Sequence, residues 1–366
     1  MSAYLERLAE GRLPLPLLDE AMQVYMLNPL EDARWPAFLE RHPAASVFHT
    51  PAWLEALRRT YGYVPMAFTT SPPQADLTDG MVACGIRSWL TGSRLVSLPF
   101  SDHCEPLVDR PGVLARLLQY LLELKKKEGW RYIELRPHTA PLEDQKGFGK
   151  SESFCLHKLD LRPSLAELFR GLHKDSIQRK VRRGEREALT YEEDRTEPLL
   201  RQFYSLLLLT RRRHQLPPQP FDWFRNLAES FGEKLKVRVA SKDGQPVAAI
   251  LTLSFRNSMV YKYGGSDEKF HNLGGMPLLF WRTIEDAKAG GAAEFDLGRT
   301  DCDNAGLITF KERLGAARLP LTYWRLPARA AQSKPGWKMR LARIFFSRLP
   351  DEVLIHTGSF LYRHIG

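Results

Sequence analysis

The chain has 366 residues, of which 43% are hydrophobic and 26% are charged, and its formal net charge is +10. This length can bury a substantial core and usually forms two domains, and the composition is that of an ordinary soluble protein. The charged N-terminus does not resemble a signal peptide, and the apolar runs near residues 117 and 205 are far below the roughly 20 residues of a spanning helix. We therefore expect a cytoplasmic protein.

The positive charge is concentrated in two short segments. Residues 170–187 hold seven basic and three acidic residues, and residues 328–366 hold seven basic and two acidic residues. Because the rest of the chain is nearly neutral, this distribution indicates local contacts with anions rather than a generally cationic surface.

Periodicity and turn signals predict an ordered series of elements in the first half of the chain. They are a helix at 51–60, strands at 64–69, 80–90 and 94–100, a helix at 111–127 and a strand at 131–136. The second helix is the clearest, because Pro111 lies in its first turn, lysines fill its last turn and Gly129 follows it.

The second half repeats this order. It predicts a helix at 221–231, strands at 235–240, 246–255 and 259–264, a helix at 277–288 and a strand at 294–297. The spacing between equivalent elements is nearly constant; the helices that start at 111 and 277, for example, lie 166 residues apart. We interpret the pattern as a duplicated unit of α+β class, in which a mixed sheet carries helices on its faces.

Four motifs of this chain resemble the FemAB/FemX-like branch of the GNAT acyltransferases, including proteins of exopolysaccharide and cell-envelope gene clusters. They are FHTPAWLEAL at 48–57, HKDSIQRKVRRGEREALTYEE at 173–193, YKYGGSDEKFHNLGGMPLLFW at 261–281 and DLGRTDCDNAGLITFKERLGA at 296–316. The resemblance implies two tandem GNAT-like domains, at residues 1–155 and 156–327, followed by a basic amphipathic tail at 328–366.

The resemblance also implies an activity. Such a protein would move an acyl or aminoacyl group from acyl-CoA or aminoacyl-tRNA to an amine of a sugar, peptidoglycan or exopolysaccharide precursor, without a tightly bound cofactor. An RNA-binding protein and a noncatalytic envelope-assembly protein on a degenerate GNAT scaffold remain the alternatives.

A polar loop before the helix at Pro277 is a candidate donor site. A helix N-terminus that is entered through glycines can bind an anion or oxyanion. The resemblance places His271, Gly274 and Gly275 at the positions of the GNAT pyrophosphate loop, although histidine and Met276 depart from that pattern. A turn that merely needs glycine is the structural alternative.

The loop and helix after residue 294 supply the candidate catalytic groups. Lys311 resembles the lysine of the FK motif in FemX-like enzymes, which implies a contact with donor phosphate or developing negative charge. Asp296 could hold the attacking amine or accept its proton, Arg299 could bind a phosphate or carboxylate, and Tyr263 is a further acid/base candidate. The alternatives are a solvated lysine paired with Glu312 or Asp303 and a structural Asp296–Arg299 pair.

The basic segment at 173–187 predicts a helix with a narrow apolar stripe and a broad positive face. Its cations could neutralise an anionic acceptor, a tRNA donor or the anionic inner face of the membrane. They include Lys174, Arg179 and Arg182. The tail alternates aromatic residues such as Trp337 and Phe345 with cations, so it could contact a membrane peripherally or pack on the first domain.

The four cysteines are widely scattered and lack C-x-x-C spacing. We therefore expect buried, reduced thiols at Cys84, Cys104, Cys155 and Cys302 rather than a metal site or a nucleophile.

Overall fold

A computed structural model of the chain describes residues 22–139, 142–143, 145, 147–328, 346 and 350–365. Within these residues, twelve strands form one continuous sheet in the order β1-β2-β3-β4-β5-β12-β6-β11-β10-β9-β8-β7. The sheet contains both parallel and antiparallel pairs, and helices cover its faces, which confirms the predicted mixed α+β architecture.

The first half contains six strands and three helices among its described residues. The strands are β1 (Tyr25–Leu27), β2 (Val64–Thr69), β3 (Met81–Ile86), β4 (Arg94–Val96), β5 (Tyr132–Leu135) and β6 (Gly149–Asp160). The helices are α1 (Arg34–Arg41), α2 (Pro51–Tyr61) and α3 (Pro111–Glu128). Helix α3 begins at its proline and ends at Gly129, which adopts a left-handed conformation with φ 66°.

The second half continues with helices α4 (Leu165–Gly171), α5 (Arg179–Arg186), α6 (Glu197–Arg213), α7 (Phe221–Phe231), α8 (Gly275–Ala289) and α9 (Ala305–Arg313). Its strands are β7 (Thr190–Asp194), β8 (Leu235–Lys242), β9 (Gln245–Phe255), β10 (Ser258–Ser266), β11 (Glu294–Asp301) and β12 (Ala317–Leu326). A π-helical turn, Lys174–Gln178, leads into α5, and a 3₁₀ turn, Glu268–Leu273, precedes α8. The C-terminal helix α10 spans Asp351–Ile365.

The predicted duplication is visible in the strand pairing. In the first half β2, β3 and β4 pair antiparallel, and β4 pairs parallel with β5 across helix α3. Strands β8, β9, β10 and β11 repeat this arrangement across helix α8. Each half therefore consists of a meander and one parallel crossover, as the sequence predicted.

The two halves exchange their last strands. Strand β6 pairs antiparallel with β11 of the second half, while β12, from the end of the second half, pairs with β5 of the first. Strands β6 and β12 also pair with each other. The domain boundary expected between residues 155 and 156 lies within β6, at the centre of the shared sheet.

Helices from both halves meet on one face of the sheet. Trp53 of α2 and Trp223 of α7 are fully buried there, with ring centroids 5.3 Å apart in an edge-to-face arrangement. On the opposite face, α3 covers the first half and α5 and α8 cover the second. The buried stripe predicted for the basic helix is confirmed, because Ile177 and Val181 are each 1% exposed.

Helix α10 lies against both halves of the molecule. His364 contacts Ser88 of the first half, and Gly358 packs against the backbone of Pro218 in the second. The aromatic and basic positions of the tail between 329 and 345 lie outside the described residues. None of the helices in the described part of the chain combines the length and apolar character needed to cross a bilayer.

Gly265 lets β10 approach helix α6 closely, and this approach makes a specific stability prediction. A Cβ at Gly265 would lie 2.5 Å from backbone atoms of Leu206 and Leu207, which cannot move aside as a flexible side chain would. We expect Gly265→Ala to lower the free energy of unfolding by about 1–3 kcal/mol. Gly112→Ala, in α3 with open space around its Cβ, is the control and should be neutral or slightly stabilising. Equal urea midpoints for the two variants would contradict this packing argument.

Candidate active site

Two adjacent cavities lie at the carboxyl ends of β10 and β11. Cavity A has a volume of about 630 Å³ and is bounded by α5, β9, the turn before α8, and α9. Its walls are largely apolar, and Lys180, Lys311 and Arg313 contribute cations. Cavity B, of about 200 Å³, lies between α6 and the ends of the two strands. Tyr261, Leu307 and Lys311 line both cavities.

Lys311 is the central group of this region. Its side chain is 2% exposed, and its ammonium donates hydrogen bonds to the backbone carbonyls of Gly298 at 2.8 Å and Arg299 at 3.1 Å. An ammonium carries three N–H donors, so one donor remains beyond these two bonds among the described residues. The alternative of a solvated lysine paired with Glu312 or Asp303 is therefore wrong.

The carbonyls that bind Lys311 belong to a β-bulge in β11. The register with β6 shifts between Asp296 and Arg299, and Gly298 adopts a φ of +73°. The sequence predicted that the strand would stop at this Gly-Arg pair, but it continues to Asp301. Gly298 is needed for space as well, since a Cβ there would lie 2.8 Å from Oδ2 of Asp102.

Burial lowers the pKa of Lys311 to about 8, although the carboxylates of Asp102 and Asp296 oppose this shift. The ammonium form therefore predominates at neutral pH, but the neutral amine is accessible slightly above it. Lysines with such pKa values are typical of functional sites.

Asp296 is fixed by two hydrogen bonds on opposite oxygens. Its Oδ2 lies 2.9 Å from Nε2 of His103, and its Oδ1 accepts the Gly298 N–H at 2.7 Å. Burial alone would raise the pKa of Asp296, but the His103 hydrogen bond and neighbouring charges outweigh it, so the pKa is lowered. The alternative of a structural Asp296–Arg299 pair is absent from the described contacts of Asp296, whose side-chain partner is His103.

Cavity B is lined by a buried ion pair. The Lys262 ammonium lies 2.9 Å from Oδ1 of Asp102, and burial, partly offset by Asp102, lowers the lysine pKa. Arg299 lines the same cavity; its guanidinium lies 4.2 Å from the centre of the Phe154 ring and its Nε lies 3.9 Å from Asp102. Further cavity B residues are Arg211 and His214.

Tyr263 also lines cavity B, but its hydroxyl accepts a hydrogen bond from the indole N–H of Trp223 at 2.9 Å. Burial raises the pKa of Tyr263, so the phenol stays protonated at neutral pH. The structure thus brings Lys311, Arg299 and Tyr263 together around one cavity. Asp296 is linked to Lys311 through the bulge, because it accepts the N–H of Gly298, whose carbonyl binds the Lys311 ammonium.

The predicted anion loop is only partly open. Gly275 and His271 line cavity A, whereas Gly274 lies beneath α5, because a Cβ there would be 2.3 Å from the Lys180 carbonyl oxygen. The His271 Nε2 lies 2.9 Å from the Ser266 hydroxyl. Burial and nearby Lys180 and Arg213 lower the pKa of His271, so this imidazole is neutral at pH 7.

The basic helix presents residues to cavity A other than those expected. Lys174, Arg179 and Arg182 are exposed and line neither cavity A nor cavity B, while Lys180 and Ser176 line cavity A. The Arg182 guanidinium lies 5.6 Å from the Phe169 ring centre.

Sequence reasoning missed His103, Asp102 and Lys262. Two of them belong to the run SDHCE at 101–105, whose four consecutive titratable or thiol side chains between strands could have marked it. Lys262 lies between two tyrosines in YKYGG, and a lone cation within a strand motif is a comparable signal.

The thiol prediction was only half correct. Cys84 and Cys104 are buried, but Cys155 is partly exposed and Cys302 is exposed.

Comparisons with known proteins give a family match and solved structures of similar fold. Residues 172–311 match the family described as "Acetyltransferase (GNAT) domain". No curated protein matches the chain in sequence. The crystal structure of FemX is similar over 82% of this chain and 97% of its own, with 15% identity and a TM-score of 0.66.

Two further solved structures share the fold. A tandem GNAT protein from the clavulanic acid biosynthesis pathway has 13% identity and a TM-score of 0.52, with 86% of this chain and 100% of the other covered. The C-terminal domain of a putative lysylphosphatidylglycerol synthetase from Agrobacterium fabrum has 14% identity and a TM-score of 0.51, with 84% and 95% covered. Residues 172–311 of this chain therefore form a GNAT-type acyltransferase domain, and the chain shares its overall fold with FemX and with the tandem GNAT protein.

Proposed function

We propose that this protein transfers an acyl or aminoacyl group to an amine of an anionic sugar, peptidoglycan or exopolysaccharide precursor. The observation that carries the proposal is the position of Lys311, whose one side chain lines both cavity A and cavity B. A donor in cavity A and an acceptor in cavity B would meet at its ammonium.

Cavity A suits the acyl donor. Ile177, Val247 and Phe280 supply apolar surface for an acyl group, and Lys180 and Arg313 supply cations for donor phosphates. GNAT domains use acyl-CoA as donor, and the proposal includes aminoacyl-tRNA as the alternative. The exposed cations Lys174, Arg179 and Arg182 favour that alternative, because they could follow an RNA backbone outside the cavity.

Cavity B suits an anionic acceptor. Lys262, Arg211, Arg299 and Lys311 line it together with one carboxylate, Asp102. Excess positive charge in a small cavity favours a phosphate or carboxylate on the acceptor. It also lowers the pKa of a nearby amine, so a neutral, nucleophilic amine is favoured.

The proposed reaction needs no covalent enzyme intermediate. The acceptor nitrogen attacks the acyl carbon, an N–C bond forms, and the bond from that carbon to the donor sulfur or oxygen breaks. The remaining Lys311 N–H would stabilise the oxyanion, and the amine proton leaves to the released thiolate or alkoxide or to solvent. Asp296 and His103 would act by holding the bulge and thereby Lys311.

The carrier can be identified by ligand-dependent melting. Purified protein would be heated with acetyl-CoA, with longer acyl-CoAs and with aminoacyl-tRNA, beside Lys180→Ala as a cavity A variant. A rise in Tm with one carrier that Lys180→Ala reduces would support the donor assignment. If none of these carriers raises the Tm, the assignment of cavity A to the donor is contradicted.

Lys311 should be required for transfer. We expect Lys311→Met, which keeps the chain length without the charge, to lower kcat by about 100-fold or more, because oxyanion stabilisation of this kind contributes that much. Lys126→Met, at an exposed position of α3, is the matched control and should retain full activity. Equal rates for the two variants would remove Lys311 from the site.

The transfer rate should depend on pH through the same group. Because the pKa of Lys311 is about 8, the ammonium is lost as pH rises through about 8, and the rate should decline above that point. Arginine stays protonated throughout this range. The descending limb should therefore be absent from the pH–rate profile of Lys311→Arg, even at a reduced rate. If the descending limb persists in Lys311→Arg, the decline in rate is caused by the titration of a group other than Lys311.

His103 should act through Asp296 and the bulge. We expect His103→Ala to lower kcat by about 10-fold with little change in KM, because Asp296 loses the partner that holds it. His103→Gln keeps an N–H donor near the Nε2 position and should restore most of the rate. If His103→Gln and His103→Ala lower kcat equally although their Tm values are equal, the loss of the hydrogen bond to Asp296 does not explain the lower kcat.

A further inference from the structure

Two of the four cysteines lie side by side although they are far apart in sequence. The sulfur atoms of Cys155 and Cys302 are 3.7 Å apart, and the residues are separated by 147 positions. Cys155 pairs with Thr300 across β6 and β11, so Cys302 lies two residues beyond its direct partner. Diagonal neighbours of this kind share one face of an antiparallel pair.

The pair is open to a reagent, unlike the other two thiols. Cys302 is exposed and Cys155 is partly exposed, whereas Cys84 and Cys104 are buried. Burial raises the pKa of both buried thiols, so they remain inert at neutral pH. Oxidation of the folded protein is thus directed to one pair.

The pair is located beside the segment that carries Lys311. Cys302 directly follows β11, and Asn304 caps helix α9 by accepting the Leu307 N–H at 3.1 Å. The carboxylates Asp301 and Asp303 flank Cys302, and its Sγ also lies 3.5 Å from the Ser153 carbonyl oxygen. A covalent bond here would therefore join β6 to the loop that begins α9.

We propose that Cys155 and Cys302 form a reversible disulfide that fixes the loop ahead of helix α9. The two sulfur atoms, which are 3.7 Å apart, must approach to the S–S bond length of about 2.05 Å, a movement of about 1.7 Å. Rotation of the side chains in the exposed loop can supply this movement. Both S–H bonds break and one S–S bond forms, so two electrons and two protons pass to an oxidant such as a diazene or another disulfide.

The local charges select the conditions for this oxidation. Burial, the Cys155 thiol and the flanking aspartates raise the pKa of Cys302 above its ordinary value. The thiolate that attacks the oxidant is therefore scarce at neutral pH, and oxidation should accelerate as pH rises. A neutral oxidant avoids repulsion by Asp301 and Asp303.

The test counts thiols in the intact protein before and after treatment with diamide, a neutral diazene. Of four cysteines, the folded reduced protein should expose the Cys155 and Cys302 thiols to an alkylating reagent. After oxidation the folded protein should expose neither, the unfolded protein should show only Cys84 and Cys104, and dithiothreitol should restore all four. Peptide mapping should find the Cys155–Cys302 link.

Cys302→Ser provides the matched control and should keep its remaining thiols after the same treatment. Retention of all four thiols in oxidised wild type, a link that involves Cys84 or Cys104, or a link between two molecules would each overturn the proposal. These outcomes do not depend on the catalytic activity, so they are independent of the proposed function.

Hydrogen exchange tests whether the bond fixes the loop. Amides of residues 302–313 should exchange more slowly in the oxidised protein than in the reduced protein, and Cys302→Ser should show no such difference. A disulfide that forms without slowing exchange in this segment would overturn the fixing of α9. An effect on acyl transfer would rest on the proposed function, and a changed rate that dithiothreitol reverses would extend the proposal to activity.

Discussion

The site depends on one backbone feature, the bulge between Asp296 and Arg299 in β11. A regular strand would direct successive carbonyls to its neighbours, whereas the bulge turns the carbonyls of Gly298 and Arg299 toward Lys311. These carbonyl dipoles allow a charged ammonium to remain in a buried position. Without them the lysine would have to be neutral or exposed, and cavities A and B would lack a shared cation.

The bulge is held from outside the matched GNAT segment. His103, in the loop between β4 and α3, binds Asp296, and Asp102 occupies the space that a side chain at 298 would need. Asp102 and His103 are adjacent in sequence but line different cavities. Asp102 lines cavity B, while His103 lines a separate cavity of about 820 Å³. The first half therefore contributes to the geometry of the second.

The repeated elements could be predicted from sequence because each half contains the same local signals, such as proline at the start of α3 and within the first turn of α8. The exchange of β6 and β12 could not be predicted, since pairing between strands distant in sequence leaves no local pattern. Lys311 could be proposed from a motif, and Arg299 and Tyr263 could be proposed from the chemistry of their side chains. His103 and Asp102 were missed because their roles arise from contacts with residues 193 and 160 positions away in sequence.

The exchanged strands also set the order in which this molecule can be completed on the ribosome. Strand β5 ends at Leu135, but its partner β12 begins at Ala317 and is therefore synthesised much later. Until then β5 presents an unpaired edge, and β6 likewise waits for β11. Domains usually fold one after another as they emerge. Here the central strands can close only after β12, which begins at Ala317, has been synthesised, so the first half keeps an exposed strand edge until then.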